Sequence, residues 1–210
     1  FESDFKNAGV RPIGSWNLGA AEISTVDTKI EKKSDLEGLK IRAAGGHAAS
    51  TIEVLGGSPV SMATPQIYQA LQRGSIDGLL AGPMTWRDFN TYEVANYTTR
   101  GAPLVNGGNT DVISLDVWND LPDDIQQLFN DLSDQAMLNC AEALDSAIND
   151  VYDNLGGDEL EIYEMPSDQI REWEDTLIEG VIEPWPDSRP DPEVASNLLE
   201  AYRGYIEDYS

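Results

Sequence analysis

Residues Asp35–Trp86 read DLEGLKIRAAGGHAASTIEVLGGSPVSMATPQIYQALQRGSIDGLLAGPMTW. Leu39–Ile41 is a short apolar strand with Arg42 at its carboxyl end. A glycine pair, Gly45 and Gly46, follows, and then a small-residue apolar segment with helical spacing, Ala48–Leu55. The pattern repeats as strand Ser58–Met62, turn Ala63-Thr64-Pro65 and helix Gln66–Arg73, with Pro65 suited to a first helical turn. Ile67, Ala70 and Leu71 give that helix one apolar face. A third strand, Ile76–Leu80, runs into Ala81-Gly82-Pro83. Strands alternating with helices at this spacing predict βαβ units and a parallel sheet, hence an α/β fold. Ligands of such sheets sit beyond the carboxyl ends of the strands, where Arg42 and Ala81–Trp86 stand.

Several of these residues have the chemistry of a small-molecule site. The guanidinium of Arg42 is a planar fork that holds a carboxylate through two parallel hydrogen bonds. On the residues alone, a surface salt bridge is the ordinary alternative in a chain with 38 Asp and Glu. Trp86 offers a flat apolar wall, and Tyr68 is either core, with its hydroxyl bonded, or a cleft residue. His47, the one histidine, has no second histidine with which to share a metal and reads as a helix-start residue.

Outward from this stretch, Phe1–Gly9 reads as a helix tail stopped by glycine. Val10–Trp16 and Ala20–Thr25 alternate as two strands around Asn17-Leu18-Gly19. Thr28–Ser34 is a charged connection. After Tyr92–Thr98 and Arg100-Gly101, the stretch Asn106–Thr110 offers candidate polar contacts at Asn109 and Thr110 or, equally, a simple turn at Asn106–Gly108, and Val112–Val117 reads as a strand. Pro122 opens a long helix over Asp123–Leu155, with Ile125, Leu128, Phe129, Leu132, Ala136, Leu144, Ile148, Val151 and Leu155 inward and Gly156-Gly157 as its stop. At 1.5 Å per residue that helix would span about 50 Å, too long for one small lobe. Leu160–Tyr163 reads as a strand, Pro166–Glu179 as a helix, and Pro192–Tyr209 as a last helix with Ala195, Leu198, Leu199, Tyr202 and Ile206 inward.

Composition excludes several functions. With 13 Lys and Arg against 38 Asp and Glu, the formal charge of −25 repels nucleic acid and anionic membrane surfaces. The acids are spread over the chain, as on a solvated acidic surface; a saline habitat is one explanation. A single cysteine, Cys140, excludes an intramolecular disulfide and reads as core. No run of 18 apolar residues would span a membrane. No Gly-x-Ser-x-Gly, phosphate-cradling glycine loop or metal-spaced His/Cys set supports catalysis, so no catalytic residue, metal or cofactor is expected.

The order and spacing of DLEGLKIR, LGGSPVSM, QIYQALQRGSIDG with a following Pro, TYEVANYTTR and VWNDLPDDIQQLF resemble the periplasmic solute-binding proteins of TRAP transporters, of the dicarboxylate-binding type. The resemblance covers Asp35–Phe129 closely and the rest loosely. It implies a two-lobed fold with a hinge and a long helix spanning both lobes. Residues 1–34 would be the remainder of the first lobe and the crossing strands, 35–110 the second lobe, and 111–210 the return strand, spanning helix and carboxyl-terminal helices. Members carry the opening βαβ units of the first lobe before the equivalent of Phe1, so the amino-terminal part of that lobe, and any signal peptide, is expected to be missing here.

The resemblance also implies a periplasmic protein that closes over a small organic acid and delivers it to membrane permease subunits. A sensor or scavenger working with a receptor is the alternative, and an α/β enzyme acting on small carboxylates is a remoter one. Arg42 becomes the carboxylate anchor, Trp16 and Asn17 lie near the cleft, and Asn109 and Thr110 become candidate contacts. Two departures stand out. Family members usually carry a second arginine just before a Thr on the second strand, where this chain has Glu22. They commonly place a ligand-contacting side chain where this chain has Gly82. Both weigh against a simple dicarboxylate, and Glu22, if it faces the cleft, favours a ligand with an amine or hydroxyl.

Overall fold

The computed structural model describes residues 2–155 and 160–209. In chain order the elements are α1 (Glu2–Asn7), β1 (Val10–Thr25), β2 (Lys40–Arg42), α2 (Gly45–Val54), β3 (Ser58–Val60), α3 (Ile67–Gln72), β4 (Gly78–Ala81) and α4 (Pro83–Asp88). After these come β5 (Tyr97–Arg100), β6 (Val105–Ser114), α5 (Leu115–Asp120), α6 (Asp123–Leu155), β7 (Glu161–Glu164), α7 (Ser167–Leu177) and α8 (Pro192–Tyr209). Strands β2, β3 and β4 are parallel, as the alternation predicts, and β4 pairs antiparallel with the carboxyl-terminal part of β1. The sheet runs β3-β2-β4-β1-β5-β7, and β6 pairs with β1 off this path.

Each face of the sheet is covered, as βαβ crossovers require. On one face Ile23, Ile41 and Leu80 pack with Ala48 and Ile52 of α2 and Trp173 and Leu177 of α7. On the other, Leu79 and Ala81 pack against Ile67 and Leu71 of α3. Trp86 of α4 joins Val151 of α6 and Leu160 there.

The amino-terminal part of β1 leaves the sheet and pairs only with β6, forming a two-stranded ribbon. Helix α6 lies along this ribbon in the same direction as β1. Asn130 Oδ1 accepts from Arg11 Nη2 at 3.0 Å, Ser133 Oγ donates to the Ile13 carbonyl at 3.0 Å, and Tyr152 reaches Glu22. A 33-residue helix and a 16-residue strand match in length at about 50 Å each.

The structure corrects several sequence expectations. Val10–Trp16 and Ala20–Thr25 are one strand, because Asn17-Leu18-Gly19 forms a bulge and not a turn. The pairing register shifts between Asn17 and Ala20, Gly19 takes φ 81°, and its N–H donates to Asn17 Oδ1 at 2.8 Å. Asn106–Gly108 is strand within β6, paired along β1. The strand expected over Val112–Val117 ends at Ser114, and Leu115 begins α5, which buries Trp118 under Arg11 at 4.3 Å and beside Phe129. Helix α6 covers the span expected of it. In its first half, however, Ser133, Met137 and Cys140 are half-buried, while Leu128, Phe129, Leu132 and Ala136 are exposed. In α8 Ala195 is buried, but Tyr202 and Ile206 are exposed. The Gly156-Gly157 stop lies outside the described residues.

Candidate ligand-binding site

Because β2, β3 and β4 are parallel, their carboxyl ends share one edge of the sheet. Arg42, the Met62–Thr64 loop and Gly82 lie along that edge. Arg42 is 7% exposed. Its Nε and Nη2 donate to the Met62 carbonyl at 3.3 Å, and Nη2 also donates to Thr64 Oγ1 at 3.2 Å. Among the described residues no carboxylate pairs with it. Burial pulls its pKa down, yet a guanidinium keeps its proton in proteins. The edge therefore presents a largely buried cation held in place by neutral oxygens. A buried charge left in this way is costly until an anion reaches it.

The other sequence candidates fall in different places. Gly82 caps the start of α4 at this edge, and a side chain there would meet the Ala20 carbonyl at 3.6 Å, an ordinary contact. Tyr68, half-buried on α3, is not core: its hydroxyl donates to Glu93 Oε2 at 3.0 Å, which raises its pKa. Trp86 is 1% exposed and sits in the core, edge-to-face with Tyr152 at 5.7 Å, so it is no free wall. Among the described residues its indole N–H has no hydrogen-bond partner. Asn17 is exposed and spends its side-chain oxygen on the bulge.

Trp16, Asn109 and Thr110 lie on the ribbon, Trp16 opposite Asn109 in register. Asn109 and Thr110 are exposed. Trp16 lines a cavity of about 470 Å³ with Ile13, Phe129, Leu132, Met137 and Cys140, a lining that does not include Arg42. His47 is exposed in the first turn of α2. Among the described residues no group of three His, Cys, Asp or Glu could hold a metal ion, and no helix is long and apolar enough to cross a membrane.

Glu22 faces neither solvent nor an open cleft. It is 4% exposed, one oxygen accepting from the Tyr152 hydroxyl of α6 and the other from Thr98 Oγ1 of β5 at 3.2 Å. Arg100 lies close by, but it binds Glu164 at 3.0 Å and stacks over the Tyr152 ring at 3.8 Å. Desolvation dominates, raising the Glu22 pKa to about 7 against the pull of these hydroxyls and of Arg100. Sequence reading missed this network and the Met62–Thr64 cradle. The visible signals were a Glu in an apolar alternating strand and a Thr pair, Thr98-Thr99, in another.

The sequence matches the family model of bacterial extracellular solute-binding proteins, family 7, over residues 1–183. The chain belongs to this family, the periplasmic solute-binding proteins of TRAP transporters. A solute-binding protein of Chromohalobacter salexigens is 35% identical over 85 residues, 40% of this chain and 25% of the relative. The C4-dicarboxylate-binding periplasmic protein of Rhodobacter capsulatus is 24% identical over 183 residues, 83% of this chain and 53% of its own length. The chain thus spans a quarter to about half of these curated relatives.

Among solved structures, the periplasmic ectoine-binding protein of the TeaABC TRAP transporter of Halomonas elongata superposes with a TM-score of 0.87 at 19% identity, covering 99% of this chain and 66% of that one. A TRAP solute-binding protein of Chromohalobacter salexigens with bound D-glucuronate gives 0.83 at 19%, covering 96% and 66%. One of Bordetella bronchiseptica with bound (R)- and (S)-mandelate gives 0.82 at 23%, covering 100% and 67%. At these identities the likeness shows the fold, that of the two-lobed TRAP solute-binding proteins.

Proposed function

We propose that this chain belongs to a periplasmic solute-binding protein that captures a small organic acid on Arg42 and delivers it to TRAP permease subunits. The observation that carries this reading is the buried Arg42 guanidinium, fixed by a main-chain carbonyl and a hydroxyl and, among the described residues, without a carboxylate of its own. Its position at the carboxyl end of β2 borders the crevice where α/β sheets bind ligands. The ligands named for several structural neighbours agree: glucuronate, galacturonate, mandelate and orotic acid all offer a carboxylate.

The parallel sheet is read as most of the second lobe, and β1, β6 and α6 as the elements that join it to the first. Closure of such lobes is a population shift driven by tighter ligand contacts in the closed state. Gly82 and the Met62–Thr64 loop are the neighbours of Arg42 in this site. Trp16, Asn109 and Thr110, on the ribbon, would meet the ligand only from the other wall.

The test is a thermal-shift screen of the full-length protein against small carboxylates, sugars and amines, since a ligand of the folded state raises the melting temperature by mass action. A carboxylate hit that disappears in Arg42→Ala is the expected result. Silence from every acid together with a response to neutral sugars or amines overturns the reading.

A further inference from the structure

Glu22 stands on the sheet face that carries Arg42. Arg42 is in register with Leu79 and Glu22 with Ala81, so one strand, β4, lies between them and their side chains share a face. With strands about 4.8 Å apart and about 3.3 Å per residue, the two Cα atoms are about 12 Å apart. Glu22 is also where α6 is tied to this sheet, through the Tyr152 hydroxyl.

The surroundings of Glu22 suit both protonation states. Tyr152 from α6, Arg100 from β5 and Glu164 from β7 are the titratable groups facing it; β4 and α4 bring Ala81 and Trp86. Arg100 is committed to Glu164, and Ser24 Oγ donates to Thr98 Oγ1 at 3.1 Å, leaving the Thr98 hydrogen for Glu22. The ionised carboxylate thus accepts two hydroxyls but, among the described residues, has no cation bonded to it. The neutral acid escapes the cost of burying that charge. Desolvation accordingly brings its titration to about 7.

We propose that capture of a carboxylate at Arg42 is linked to proton uptake by Glu22, so that the site takes up a proton together with the anion. This rests on the reading of Arg42 as the carboxylate anchor. An anion paired with Arg42 raises the cost of a second negative charge at Glu22, by at most roughly a factor of ten in affinity at an effective dielectric constant of about 20 and a separation of no less than about 12 Å, since the guanidinium is turned toward Met62 and Thr64. The proton goes from solvent to a Glu22 carboxylate oxygen and leaves again when the anion is released. Glu22 acts through Arg42's ligand and does not touch it.

Titration calorimetry of the full-length protein, with sodium D-glucuronate and sodium mandelate as probes, tests this between about pH 6 and pH 9 in two buffers of different ionisation enthalpy. The expected result is a Kd that rises up to about tenfold with pH and a fractional proton taken up per anion around pH 7–8. Glu22→Gln should bind with the low-pH affinity at every pH and take up no proton. Tyr152→Phe removes a hydroxyl that favours the carboxylate and should move the slope to higher pH. A slope that survives in Glu22→Gln, or binding without proton uptake in the parent protein, overturns the coupling and leaves the Arg42 reading standing. No binding of either probe at any pH overturns the coupling for these acids, and the carboxylate site itself is then decided by the wider thermal-shift screen. Should Glu22→Gln not fold, an unmoved slope in Tyr152→Phe overturns the proposal.

Discussion

At the scale of single residues, two buried charged groups define this molecule, and they call for opposite partners. Arg42 is a cation held by neutral oxygens. Its replacement by alanine would leave a bound carboxylate desolvated and unpaired, which typically costs roughly 2–5 kcal/mol. Arg42→Ala should therefore weaken the binding of any carboxylate hit by at least about thirtyfold, read by titration calorimetry. Arg42→Lys should recover only part of that, since an ammonium cannot reproduce the fork. Glu22 has its pKa raised from 4.5 to about 7. A raised acid pKa means that the folded protein keeps a proton which the unfolded chain releases. The associated stability is full below about pH 4.5, falls as pH rises, and is gone above about pH 7, a change of about 3 kcal/mol. Denaturation across this window should show that loss in the parent protein, and Glu22→Gln should flatten it.

Between elements, close approach is as decisive as charge. Gly78 opens β4 where β4 meets β1, and a Cβ there would lie 2.4 Å from the Ser24 carbonyl and 2.8 Å from Thr25 Cγ2. A strand backbone cannot yield locally, so Gly78→Ala should lower stability by about 1–3 kcal/mol in chemical denaturation. Gly14→Ala, on the same β1 but with nothing within 4 Å, should change it by less than about 0.5 kcal/mol. The same contrast between local and distant causes explains what could be read from sequence. The alternation of Asp35–Trp86 was legible because each strand, turn and helix there is short and locally signalled. Asn17-Leu18-Gly19 and Asn106–Gly108 look like turns locally, but β1 and β6 pair along both stretches and draw them into strand. Position made Arg42 legible, whereas its Met62 carbonyl partner has no side-chain signature. Trp86 looked like a pocket wall because its burial against Tyr152 depends on α6, which begins 37 residues later in the sequence (123 against 86).

Over the whole molecule, surface charge is the dominant long-range term. A formal charge of −25 on 210 residues opposes compaction through self-repulsion. Screening at about 1 M salt, where the Debye length is about 3 Å, should remove most of it. Thermal melts in sodium chloride from about 0.05 M to 1 M should show the melting temperature rising, and a flat or falling trend would deny charge repulsion that role. The fold that carries this charge superposes on solved structures with TM-scores above 0.8 at identities of 17–19%. The cradle of Arg42 is tolerant of substitution in a way a side-chain partner would not be. Its main support is a main-chain oxygen, which every amino acid supplies alike. A substitution at position 62 would therefore leave that hydrogen bond in place, and the guanidinium would keep its seat whatever side chain stood beneath it.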